Sequence, residues 1–216
     1  MSEPFDRARW AALSARFPTL HPLLRLEAPP VQPLPASCGV LTGSAAVIDR
    51  CAADMGPKQL FFRAADAEEA DLRAVHGRCL YLLERWEDLP RLDALAGPLL
   101  SGGHLEEVAI RLSPVGEGPF TEEALPALAR QLRRTDTLVV RSAFLTLNGA
   151  EDLSSQARAA FSLIKRLRAD LPCLLHAFCL EGVLEPLLAG DEPLARTLEM
   201  LAALNDTSLY ARFYIA

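Results

Sequence analysis

The sequence predicts an α/β protein: a single (β/α) barrel, incomplete at about seven strands, preceded by an N-terminal helical arm. Three observations lead there. Strand-like apolar runs alternate with amphipathic helical segments along the chain. Those runs are near-continuously apolar, as strands covered on both faces are. The connections are long enough for right-handed crossovers between parallel strands. An open, doubly wound parallel sheet meets the same conditions and stands as the alternative, because about seven strands is one short of a full barrel and 216 residues is short for that fold.

Residues 7 to 26 carry apolar positions at helical spacing, interrupted by Pro18 and Pro22, and predict a short helical arm. EAPPVQPLPAS (27 to 37) is proline-rich and reads as an extended strap, so the chain divides into an arm and strap, 1 to 37, and a barrel-like domain, 38 to 216. The strands expected in that domain are 39 to 41, 59 to 63, 79 to 83, 108 to 112, 137 to 147, 173 to 179 and 208 to 215. Between them, Ser44 is placed to cap a helix stopped by Gly56. Thr121 opens a helix with acids in its first turn and arginines in its last. Residues 152 to 170 and 192 to 204 are helices, the first ending before Pro172. No internal repeat is visible.

Composition sets outer bounds on function. There are 22 Lys plus Arg against 28 Asp plus Glu, a net charge of -6, so no broad field attracts phosphate backbones and nucleic acid is not an expected partner. Five cysteines, none in a CxxC pair, suit reduced thiols better than disulfides or a zinc site, and no metal is expected. No stretch is long and apolar enough to span a bilayer, and the first residues lack a signal-length apolar run. The expectation is a cytoplasmic protein without membrane contact. Only Lys58 and Lys165 could carry imine chemistry.

In either architecture the working residues gather at the C-terminal ends of strands. The candidates for ligand binding are Arg63, Arg111, Asn148, His176 and Arg212; no catalytic residue is identifiable. Arg63 can grip a phosphate or carboxylate with its planar fork, or pair with Asp66 or Glu68. Arg111 lies in an apolar strand and must face a partner or a polar cavity. Asn148 begins an Asn-Gly turn signal. His176, within LLHAFC, is either a core histidine or a site group. It points away from Cys179, so the two do not form a dyad. GVLTGS (39 to 44) and VGEG (115 to 118) are weak loop signals, and the RQLRR and KRLR clusters read as solvated helix faces balanced by nearby acids. Trp10 and Trp86 look isolated.

Taken in order, LFFRAADAEEADLRAVHG, VAIRLSPVGEGPF, the segment from LVVRSAFLTLNG to RLRADLP, and LLHAFCLEG resemble the barrel domain of fold-type III pyridoxal-phosphate proteins. These are the alanine racemases, the diaminopimelate and ornithine decarboxylase relatives and the small single-domain PLP-binding proteins. Gln156 and Phe161 keep a spacing found there. The resemblance covers roughly residues 38 to 216 and makes pyridoxal phosphate the cofactor to consider. It departs at the decisive places. Arg63 stands where the family's first long strand ends in its Schiff-base lysine, and Ala65 where it has asparagine. FLTLNG lacks the decarboxylase histidine, and Phe213 replaces a glycine near the phosphate. The two-domain members add a C-terminal β domain that these 216 residues do not contain. An arginine stays protonated and cannot form an imine.

The sequence therefore predicts a divergent PLP-barrel-like protein that binds a small anionic ligand, an amino acid or phosphate compound, without Schiff-base catalysis. Two alternatives stand beside it: a non-catalytic interaction module or partner subunit, and a cofactor-free α/β enzyme acting on a phosphorylated substrate. A homodimer is one assembly to test.

Overall fold

The computed structural model of the protein describes residues 7–35, 37–56, 59–65, 67–99, 106–112, 120–135, 137–148, 152–171 and 175–216. Eight parallel strands close into a barrel: β1 (Leu20–Arg25), β2 (Gly39–Thr42), β3 (Leu60–Arg63), β4 (Leu80–Leu83), β5 (Glu106–Leu112), β6 (Leu138–Thr146), β7 (Ala177–Glu181) and β8 (Arg212–Ile215). They follow one another around the ring in sequence order, and β8 returns to pair with β1. The open doubly wound alternative is thereby excluded.

The eighth strand lies where the sequence predicted helix. Only the first half of the arm is helical, as α1 (Arg7–Arg16); the second half is β1. Pro22 hides this strand from sequence rules, since proline removes a ladder donor and is confined to edges and ends. Here it sits where β1 hands its pairing over: residues 20 to 22 pair with β8 and residues 23 to 25 with β2. The described residues of the strap that follows carry no helix or strand.

Among the described residues the helices are α2 (Ala45–Cys51), α3 (Glu69–Val75), α4 (Asp88–Leu99), α5 (Leu125–Leu132), α6 (Leu153–Asp170), α7 (Leu184–Leu188) and α8 (Glu192–Ser208) after α1. Asp152 caps α6 by accepting from the Ser154 and Ser155 amides, and Asp191 caps α8 through Leu194 N–H. Ser44 and Thr121 occupy capping positions, but neither side chain makes the capping bond. Leu72, Val75, Leu128, Ala157, Ile164, Leu198 and similar residues turn inward from the helices onto the outer face of the barrel. The expected strand at 173 to 179 is shorter and later, so His176 precedes β7 rather than lying in it.

The barrel interior is a packed core. Leu23, Leu41, Phe61, Leu82, Ala109, Phe144, Cys179 and Tyr214 point into it. Phe61 meets Phe144 edge-on at 4.9 Å and Tyr214 at 6.0 Å between ring centroids. Gly39 makes room for Tyr214: a Cβ there would come within 2.9 Å of the tyrosine ring and of Leu23 Cδ1. Burial raises the Cys179 thiol far above its usual range and pushes Cys38 up to about 12, so these thiols pack as apolar groups. No described helix is long and apolar enough to cross a membrane.

Candidate functional site at the barrel mouth

Side chains alternate along a strand, so the residues in register with inward-facing core positions also face inward. Arg25 is level with Leu41, Arg63 with Leu82, Arg111 with Phe144, and Thr146 with Glu181. These residues, with Glu84 one step beyond β4, crown the aromatic core at the C-terminal end of the barrel.

Glu181 is the hub. Its Oε1 accepts from Arg25 Nη2 at 2.7 Å and Arg111 Nη2 at 2.9 Å; its Oε2 accepts from Arg111 Nε at 2.9 Å and Thr146 Oγ1 at 2.8 Å. Only 1 % of that side chain is exposed, a position a carboxylate can hold only when it is paired and fully hydrogen-bonded. Arg111 spans to Glu84 through Nη1 and lies 5.8 Å from the centre of the Phe144 ring. Arg63 Nε donates to Glu84 Oε2 at 3.0 Å; Asp66 and Lys58 lie outside the described residues. Arg111 thus faces polar partners, as its burial demanded.

Three guanidiniums and two carboxylates meet here among the described residues. Arg25 and Arg63 are about half exposed or more, while Arg111 and both glutamates are covered. The β6 loop is held over this crown: Leu147 N–H donates to Glu181 O at 2.9 Å. Gln156 of α6 clamps Asn148 at both backbone groups, at 2.8 and 2.9 Å. Asn148 therefore borders the mouth. Gly182, at φ +87°, turns the chain after Glu181, and a Cβ there would lie 2.9 Å from Leu147 O. The Gly149 and VGEG signals fall outside the described residues.

His176 and Arg212 are at the other end. His176 N–H donates to Arg141 O and its carbonyl accepts from Arg212 N–H, just before β7 and at the first residue of β8. Five residues of strand, roughly 16 Å at the usual rise, separate His176 from Glu181. The convergence of Arg63, Arg111 and His176 that an enzyme site would need is absent. Around that lower end, Arg141 pairs with Glu107 at 3.2 Å, and His21 is held below its usual pKa by burial and by Arg212. Sequence reasoning missed Arg25 and Thr146 as mouth residues and did not single out Glu181 within the strand-end stretch 176 to 182. The alternation Ala177, Cys179, Glu181 was the available signal for the last.

No described group of three His, Cys, Asp or Glu is placed to hold a metal. No family model and no curated protein matches the sequence. Solved structures do match in fold. The arginine decarboxylase of Paramecium bursaria Chlorella virus bound to agmatine superposes with a TM-score of 0.72 at 9% identity over 96% of this chain. The lysine/ornithine decarboxylase of Vibrio vulnificus complexed with putrescine gives 0.63 at 14% over 97%, and the diaminopimelate decarboxylase of Helicobacter pylori complexed with L-lysine gives 0.59 at 16% over 82%. The chain spans 60%, 59% and 50% of those proteins. The fold is thus that of the barrel of fold-type III pyridoxal-phosphate decarboxylases.

Arg63 ends the third strand and Arg25 ends the first, so both strand ends hold a guanidinium. Lys165 lies on α6 outside the barrel, its Nζ 5.1 Å from the Phe161 ring centre. Phe213 also faces outward, stacked at 4.3 Å on Phe178. Among the described residues, then, no lysine amine reaches the mouth; Lys58 lies outside them.

Proposed function

We propose that the protein is a PLP-barrel relative that binds a small anion, a phosphate or carboxylate compound, at the barrel mouth without imine chemistry. The observation that carries this reading is the uneven crown: Arg25 and Arg63 present guanidinium edges outward, while Glu84 and Glu181 are turned in and occupied by Arg111. Charge-assisted, two-pronged hydrogen bonds to an oxyanion are what such a pair can offer. The aromatic core rises to the crown and leaves the anion at the rim rather than inside the barrel. Among the described residues neither lysine nor histidine stands beside that rim, and the Cys179 thiol below it is fully buried with its pKa raised by that burial, so the reading is binding and not turnover.

Calorimetric titration with inorganic phosphate and with pyridoxal phosphate tests it. Saturable binding that is lost in Arg25→Ala/Arg63→Ala and retained in Arg212→Ala supports the reading. Equal binding in all three proteins, or none in the wild type, refutes it.

A second reading has its own observation. Met200 and Leu204 are exposed along the second half of α8 and Tyr210 just beyond it, exposed apolar surface that suits an interaction module. Sedimentation of the wild type against Met200→Ser/Leu204→Ser tests for self-association through that face.

A further inference from the structure

The arginine cluster at the end of α5 finds no acidic partner among the described residues, where the sequence suggested balancing acids. No carboxylate pairs with Arg130, Arg133 or Arg134 among the described residues, although most other arginines of this acidic protein have partners. Arg130 lies in the last turn of α5 and Arg134 in the turn just beyond its end. Beside them on the same exposed face lie Ala127 and Gln131, while Leu125, Leu128 and Ala129 hold the opposite face in the core. Trp86, from the β4–α4 loop, closes the other side. Its ring meets buried Phe120 edge-on, with centroids 4.9 Å apart at 69°, so it is not isolated.

Together Trp86, Ala127, Arg130, Gln131 and Arg134 line a cavity of about 380 Å³. That is within the range of small-ligand sites. An indole face stacks on planar heteroaromatic rings, two guanidiniums grip an oxyanion, and a glutamine amide can both donate to and accept from a ring edge. We propose that this cavity binds a planar heteroaromatic phosphate of mononucleotide size, stacked on Trp86 with its phosphate between Arg130 and Arg134. The site is separate from the mouth and stands whether or not the mouth binds an anion.

Trp86 reports directly on such a ligand. In a Trp10→Phe background the remaining tryptophan emission is followed as AMP is added at low salt. Saturable quenching is expected. Arg130→Ala/Arg134→Ala should weaken it roughly tenfold or more, as loss of charge-assisted hydrogen bonds does, with an unchanged melting temperature because both side chains are exposed. Adenosine and inorganic phosphate should each bind more weakly than AMP. Quenching that rises linearly without saturation overturns the proposal, as does equal affinity in the double variant. Loss of AMP binding in Arg25→Ala/Arg63→Ala instead would place the ligand at the mouth and also overturn it. A tetraglutamate peptide that binds more tightly than AMP would replace the ligand with an acidic chain.

Discussion

Removing Glu181 should be among the most damaging single changes in the barrel, although it touches no apolar core contact. Its carboxylate is 1 % exposed and accepts four hydrogen bonds, two of them from Arg111. Glu181→Ala leaves Arg111, itself mostly covered, with Glu84 as its remaining acidic partner. Breaking a buried ion pair on one side costs about 3–5 kcal/mol. The exposed Arg25 link adds little to that. Taking about 3 kcal/mol, because Arg111 keeps Glu84, and about 2–4 °C per kcal/mol for a chain of this length, the melting temperature should fall by roughly 6–12 °C. Thermal unfolding followed by circular dichroism reads this directly. In an Arg111→Ala background the same substitution should cost at least about 1.5 kcal/mol less, because the guanidinium it would strand is gone. A fall below about 2 °C, or costs that simply add in the double variant, would show that the crown is not an energetic unit.

Other consequences can be checked in the same way. Glu106, at the start of β5, is buried beside His76, with Nδ1 3.0 Å from Oε2; desolvation first and Glu107 second push its pKa up to about 7. The folded state therefore holds a proton that the unfolded chain releases near 4.5, and its stabilising effect is complete below that value and fades as pH rises through about 7. His76, its own pKa lowered by burial, works in the opposite sense. Glu106→Gln should raise the melting temperature at pH 8, by about 1–3 kcal/mol in stability, and leave it nearly unchanged at pH 4.5; a loss at pH 8 would mean the carboxylate is held ionised. Gly182→Ala should destabilise by about 1–3 kcal/mol, since its backbone is left-handed and the new Cβ meets Leu147 O; urea unfolding measures it. Cys38, Cys51, Cys79 and Cys179 are all buried, so a thiol reagent should label them only on unfolding; rapid labelling of any of the four in the native state contradicts this packing.

The sequence disclosed its fold where local signals and tertiary demands agree. The apolar runs of β3 to β6 and the capped helix α6 fall close to their expected positions because burial on both faces and an Asp152 cap both leave local marks. β1 was concealed by Pro22, whose missing donor matters only once the neighbours on each side are known. The mouth was half legible. Arg63 and Arg111 advertise themselves as charges at apolar strand ends, but Glu181 reads as an ordinary loop acid until β7 is seen to turn it inward beside Arg111. His176 and Arg212 were misplaced for a related reason. A strand end cannot be told from a strand start when the boundary is read several residues early, and in a parallel barrel that error moves a residue to the opposite face of the molecule.

The central claim is a barrel of the pyridoxal-phosphate decarboxylase type whose mouth holds an anion without an imine. Titration of the purified protein with pyridoxal phosphate, followed by visible absorbance and repeated with Lys58→Ala, Arg25→Ala and Arg63→Ala, tests it most directly. Saturable binding with no imine band, weakened in both arginine variants and unaffected in Lys58→Ala, is the predicted result. A stoichiometric imine band that disappears in Lys58→Ala would contradict it and return covalent cofactor chemistry to this barrel.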